Sequence, residues 1–331
     1  MSTLRLIGFF CGLIVLFISF YRLRSHAEKR TDIWLLIPFG LILILVSIFP
    51  GIVNLPADLI SLGDQKGGRL ITLLLVSSGL LWFLFFYEKS KNDARYLQFD
   101  RWATNTTVRE FAEKNLASFQ NDAILVLMPA YNEAENLLQI LPKMPEKILG
   151  KPLNTIIIDD GSTDDTAQVA QENGAFVAVQ KTNRGGGAAL KVGYEVIKNI
   201  PASIVVTMDA DGQHSPLEIQ TLVEPISKNE ADFIIGSRII GTQETDSRLR
   251  FIGVHVFSRL INIIIGTHIT DCSSGFRAFK KNLLDDCTLL QEQYHTAELI
   301  IEAAKRGYRI AEQPIHIAKR LSGKSKKGKD F

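Results

Sequence analysis

Three short apolar runs, rich in branched side chains, each end abruptly on a polar or acidic cluster, and this pattern constrains the fold most tightly. Ala123–Met128 is followed by Pro129–Glu133, Thr155–Ile158 by Asp159–Asp164, and Ile204–Met208 by Asp209–Gln213. A fourth run covers Phe233–Gly236, and helical spacing of apolar residues covers Glu133–Leu141, Asp164–Asn173, Ala188–Ile197 and Pro216–Ser227. Short strands with no polar face, alternating with helices, specify a mostly parallel sheet covered on both sides. Ligands of such sheets bind beyond the carboxyl ends of the strands. The three clusters therefore converge on one rim and predict a site.

The region before this pattern differs in kind. Leu6–Tyr21, Ile33–Val53 and Leu70–Tyr87 are apolar stretches near the roughly 20 residues that cross a bilayer. They predict a membrane domain over residues 1–90 with helices over about 5–21, 33–53 and 69–88. Residues 91–121 form a linker or interfacial helix, with Trp102, Val108, Phe111 and Leu116 at helical spacing among charges. Residues 122–331 form the catalytic domain. Arg5 ahead of a short apolar core also fits a signal peptide, but no small-residue cleavage site precedes Arg22. Arg22, Arg24, Lys29 and Arg30, and again Lys89, Lys91, Arg95 and Arg101, place the first loop and everything after Glu88 on the cytoplasmic side. The expectation is a multi-pass integral membrane protein with a cytoplasmic catalytic domain.

A net charge of +2 argues against nucleic acid as partner. Cys11, Cys272 and Cys287 form no C-x-x-C pair and belong to no zinc-spaced cluster.

Asp209-Ala210-Asp211-Gly212-Gln213 carries two carboxylates at i and i+2 after a strand, able to share one Mg²⁺ or Mn²⁺. Alone it has little specificity and reads first as an aspartate-capped turn before the Pro216 helix. In Asp159-Asp160-Gly161-Ser162-Thr163-Asp164, helix capping accounts for the later residues but not for the adjacent acids. Asn183-Arg184-Gly185-Gly186-Gly187-Ala188 can bring amides to an anion or serve as an ordinary turn, and it lacks the Lys-Ser/Thr ending of a P-loop. Lys319–Lys327 is a basic tail: solvated, touching lipid headgroups, or folding over a diphosphate.

Taken with Pro129-Ala130-Tyr131-Asn132-Glu133, Gly236-Ser237-Arg238 and Asp271-Cys272-Ser273-Ser274-Gly275-Phe276-Arg277, these motifs resemble family 2 glycosyltransferases of the GT-A fold. They are most similar to the dolichyl-phosphate mannose synthase and polyprenyl-phosphate glucosyltransferase group. The resemblance runs from about Ile124 to Lys326. It implies that Pro129, Tyr131, Glu133 and Asp160 hold the nucleoside, and that Asp209, Asp211 and Gln213 hold the metal and diphosphate. Arg238 would contact acceptor phosphate, Arg320 and Lys326 would close over the donor, and Asp271 would orient the acceptor or act as base. The implied reaction moves a sugar from a nucleotide diphosphate to a polyprenyl phosphate with inversion. No Q-x-x-R-W motif follows Gln291 and Gln293, which separates the chain from processive polysaccharide synthases. A protein, glycolipid or soluble acceptor, and a non-catalytic partner that binds a nucleotide sugar or lipid carrier, are the other readings. A homo-oligomer is compatible with all of them.

Overall fold

The computed structural model describes residues 3–25, 30–53, 68–244, 248–287, 289 and 295–321. The chain divides into two compact units, Met1–Tyr96 and Leu97–Phe331.

The first unit holds α1 (Thr3–Ser25), α2 (Arg30–Ile48) and the start of α3 (Gly68–Asn115). Small residues let α1 and α2 approach closely: a Cβ added at Gly12 would lie 2.9 Å from the Gly40 carbonyl oxygen. Buried Ser19 and Ser47 turn their hydroxyls back onto the carbonyls of Val15 and Leu43. Helices thus lie where the three apolar stretches were expected. Among the described residues, however, no helix is long and apolar enough to cross a membrane. The three-span expectation is corrected to that extent. Pro38 lies inside α2, which runs unbroken from Arg30 to Ile48, and the third stretch continues without a break into a polar segment, so that α3 reaches 48 residues.

The second unit is built on one mixed sheet. Its strands are β1 (Ala123–Ala130), β2 (Lys147–Ile148), β3 (Lys151–Asp159), β4 (Phe176–Val179), β5 (Ala202–Thr207), β6 (Phe233–Gln243), β7 (Arg277–Lys280) and β8 (Ile310–Ile317). The order is β2-β3-β1-β5-β7-β6-β8, with β4 also paired to β3. Pairs β4–β3, β3–β1, β1–β5 and β6–β8 are parallel. The short β7 is antiparallel to both its neighbours, β5 and β6, and β2 is antiparallel to β3. The mostly parallel sheet foreseen from sequence is therefore mixed.

The continuous apolar runs are explained by burial on both faces. Leu125, Leu127, Ile156, Ile158 and Val205 enter one core with Phe111 of α3, α6 (Gly186–Lys198) and α10 (His295–Lys305). Ile124, Val126, Met128, Ile157 and Val206 enter the other with α4 (Ala134–Ile140), α5 (Thr166–Glu172) and α7 (Ile219–Ser227). Two further helices, α8 (Arg248–Ile265) and α9 (Asn282–Asp286), flank β7 in sequence. The buried stripe Asp100, Thr104, Thr107 and Phe111 gives the second half of α3 an inward face.

Candidate active site

The carboxyl ends of β1, β3 and β5 converge as the sequence predicts. After β1 the chain turns at Asn132, whose φ of 52° is left-handed. Asn132 Oδ1 accepts the Thr163 N–H at 2.8 Å, and its own N–H donates to Ser162 Oγ at 2.9 Å. The Glu133 N–H donates to Thr166 Oγ1 at 2.9 Å. These exchanges lock the first two clusters together. Pro129 and Tyr131 sit half-buried at the lip of β1.

Asp160 is buried, and its carboxylate meets the glycine-rich loop. Oδ1 accepts from the Arg184 N–H at 2.9 Å and from Gln180 Nε2 at 3.0 Å, while Oδ2 accepts from the Gly185 N–H at 2.7 Å. The anion that this loop cradles is thus a side chain of the protein. Burial raises the Asp160 pKa against the loop's hydrogen bonds.

Asp209 and Asp211 follow β5, with side chains 50% and 16% exposed. Burial, and then the Asp209 carboxylate beside it, raise the Asp211 pKa. Gly212 has φ +77°, which favours glycine, and a Cβ there would also push the Leu321 side chain aside. The segment leading to Leu321 is pinned by Gln213, whose Nε2 donates to the Ala318 carbonyl at 3.2 Å. Arg320 Nη2 then reaches Glu133 Oε1 at 2.7 Å and lies 3.6 Å from Asp211 Oδ2. One guanidinium bridges a residue expected at the nucleoside and one expected at the metal. Lys326 lies outside the described residues.

The loop from Asp271 to Phe276 ties a further element to this rim. Asp271 is fully buried and accepts from Arg238 Nε at 2.8 Å and Nη2 at 3.1 Å in a forked pair. Its geometry suits orientation of Arg238. At the other end of the loop, Thr207 Oγ1 donates to the Gly275 carbonyl at 2.7 Å. A Cβ on Gly275 would sit 3.2 Å from both Asp209 carboxylate oxygens, so glycine leaves room around that carboxylate.

Two supports were not legible in sequence. Arg277 is fully buried and donates to the carbonyls of Ser274, Cys272 and Thr296, shaping the loop from beneath. Glu312 on β8 accepts from the Thr270 and Asp271 N–H groups at 2.9 and 3.0 Å. Both residues act across strands that only the tertiary fold brings together. His214 is buried against Phe276, with ring centroids 4.8 Å apart and Nε2 3.7 Å from Asp209 Oδ2.

The glycosyl transferase family 2 model matches residues 125–288. The UDP-N-acetylglucosamine–dolichyl-phosphate N-acetylglucosaminyltransferase of Methanococcus voltae is 30% identical over 214 residues, covering 58% of this chain and 84% of its own. A dolichyl-phosphate hexose transferase of Haloferax volcanii is 30% identical over 200 residues, covering 60% and 85%. The chain belongs to glycosyltransferase family 2. It is an enzyme of that family. Among solved structures, glucosyl-3-phosphoglycerate synthase from Mycobacterium tuberculosis aligns with a TM-score of 0.51 at 19% identity, over 66% of this chain and 76% of that one. This likeness establishes the fold.

Proposed function

We propose that the protein transfers a sugar from a nucleotide diphosphate to a polyprenyl phosphate, dolichyl or undecaprenyl, at the cytoplasmic face of a membrane. The observation that carries this reading is the Asp271–Phe276 loop, which links the Arg238 fork at one end to Asp209 at the other. Arg238 as the anion-binding guanidinium and Asp209 as part of the acidic turn would suit a phosphate acceptor meeting a diphosphate leaving group. The relatives named for dolichyl-phosphate acceptors support the same acceptor here.

Asp209 and Asp211 fit a hard divalent cation, because the pair is mutually repulsive and Gly275 keeps space beside it. Among the described residues no group of three or more His, Cys, Asp or Glu side chains could hold a metal alone. Asp209 and Asp211 would hold Mg²⁺ or Mn²⁺ together with the donor's phosphates. Such a cation would neutralise charge building on the departing nucleoside diphosphate.

The chain's own residues hold and align. Pro129, Tyr131, Glu133 and Asp160 wall the nucleoside, Gln213 fixes the acidic turn, and Arg320 crosses from Glu133 to Asp211 to cover the diphosphate. Arg238, oriented by Asp271, receives the acceptor phosphate. A phosphate monoester has a second pKa near 6, so its oxygen is already a nucleophile at neutral pH. It attacks the anomeric carbon as the bond to the nucleoside diphosphate breaks, with inversion. Positioning and charge neutralisation then carry the rate.

Membrane attachment is assigned to the first unit. Its helices expose Phe10, Phe17, Leu81 and Trp82, each more than half accessible, and a large apolar surface of this kind calls for a cover such as lipid. The test is turnover of radiolabelled nucleotide sugars with a short polyprenyl phosphate, with and without Mn²⁺. Lipid-linked product that requires the cation is expected. Transfer only to protein or soluble acceptors would overturn the acceptor assignment.

A further inference from the structure

A buried polar chain joins α3 to the glycine-rich loop. The Arg184 side chain, 4% exposed, turns away from the rim and forms an ion pair with Asp100, itself 5% exposed. Arg184 Nη1 also donates to the Asp100 carbonyl at 3.2 Å and to Thr104 Oγ1 at 3.3 Å, and its Nε donates to Gln180 Oε1 at 2.9 Å. The Gln180 amide passes its own hydrogen on to Asp160 Oδ1, which also takes the Arg184 N–H. Lys191 approaches the second Asp100 oxygen at 3.4 Å. Every link from the helix to the Asp160 carboxylate is thus a hydrogen bond between buried or half-buried groups.

A planar guanidinium has five donors in a rigid fork, so its acceptors dictate its orientation. Asp100 and Thr104, one turn apart on α3, supply one edge of that fork, and Gln180 supplies another. The main chain of Arg184 and Gly185 must follow, and these two amides fix both oxygens of Asp160. Three of the carboxylate's roughly four lone-pair sites are then occupied, leaving capacity for one more donor. Asp100 lies ahead of the residues matched by the family model, so the support comes from outside the core catalytic sequence.

We propose that Asp100 is a positioning residue for the nucleotide pocket, acting through Arg184 to set the glycine-rich loop and the Asp160 carboxylate. The proposal rests on Asp160 belonging to the nucleoside site. The second half of α3 then supports the donor site from behind.

The experiment is calorimetric binding of UDP and GDP, with Mn²⁺, to the full-length protein in detergent, well below each variant's melting temperature. Asp100→Asn keeps the side chain's size and removes its charge. We expect about a tenfold loss of affinity for whichever nucleotide the wild type binds, and in turnover a rise in donor KM larger than the fall in kcat. Thr104→Val removes one acceptor of the fork with little change of shape, and about a threefold loss of affinity is expected. It carries the test if Asp100→Asn does not fold. Unchanged affinity in the folded variants, with only a lowered melting temperature, would show a purely structural pair and overturn the proposal. If the wild type binds neither nucleotide, the functional reading fails instead.

Discussion

Replacing Asp271 with asparagine should weaken the protein by about 3 kcal/mol while leaving it folded. The carboxylate has no exposed surface and accepts Arg238 Nε at 2.8 Å, Nη2 at 3.1 Å and the Ser273 hydroxyl at 2.9 Å. Breaking a buried ion pair by removing one charge costs about 3–5 kcal/mol, because the partner is left without compensation. The lower end applies here: Arg238 keeps 10% of its side-chain surface, and asparagine can still accept one of the two forked bonds. With a urea slope of about 2 kcal/mol per molar, the unfolding midpoint should fall by about 1.5 M. The assay is urea denaturation of the full chain in detergent, followed by fluorescence. The double variant Arg238→Met/Asp271→Leu removes both charges and should be more stable than Asp271→Asn, since an apolar pair of similar volume avoids desolvation. Both variants should lose turnover, because Arg238 is gone or misaligned. A midpoint within about 0.3 M of wild type for Asp271→Asn, or a double variant weaker than the single one, would refute the reasoning.

Gly275→Ala places a methyl 3.2 Å from both Asp209 oxygens, so Mn²⁺ affinity measured with bound nucleotide should fall about tenfold while the melting temperature changes little. Burial pushes the Tyr194 hydroxyl up to about 12, above its unfolded value near 10, so stability is fully present below pH 10 and declines as pH rises towards 12. At about 1.4 kcal/mol per unit the loss approaches roughly 3 kcal/mol, and urea midpoints measured from pH 9 upward should show wild type falling relative to Tyr194→Phe through that window. Arg309 and then Lys280 hold the Asp232 carboxyl well below the usual carboxylate range. That stability is present above the unfolded pKa near 4 and is lost as pH falls towards the folded value. The excess stability of wild type over Asp232→Asn should therefore shrink in acid unfolding below pH 4.

The convergence of three clusters on one rim was legible because β1, β3 and β5 are buried on both faces and so appear as unbroken apolar runs. β7 and β8 escaped for opposite reasons. Arg277–Lys280 is only four residues long and begins with a charged residue. Ile310–Ile317 mixes Glu312, Gln313, Pro314 and His316 with its apolar residues, as a strand only partly buried does. At the site, Arg320 lies against Glu133 and Asp211, and the Gln213 N–H donates to Asp211 Oδ1. The glycine run was ambiguous in sequence because its anion, Asp160, lies 25 residues before Gly185 and carries no local signature of that contact. The Asp100–Arg184 pair spans 84 residues, and nothing in the periodicity of α3 distinguishes a buried aspartate from a solvated one.

Arg277 bears a further consequence. Its guanidinium is caged by three main-chain carbonyls, and Asp271 and Asp209 are among the charges that act on it. Carbonyl dipoles solvate that cation without cancelling its charge, and dissolved ions cannot reach it. Its charge thus offsets part of the negative charge of those carboxylates out of reach of salt, whereas the contribution of Arg320, 22% exposed, is open to counterions. Attraction of an anionic substrate should accordingly split into two parts as ionic strength increases, one that fades and one that persists. Nucleotide affinity should level off at high salt in the wild type, and a steady decline with no plateau would contradict this.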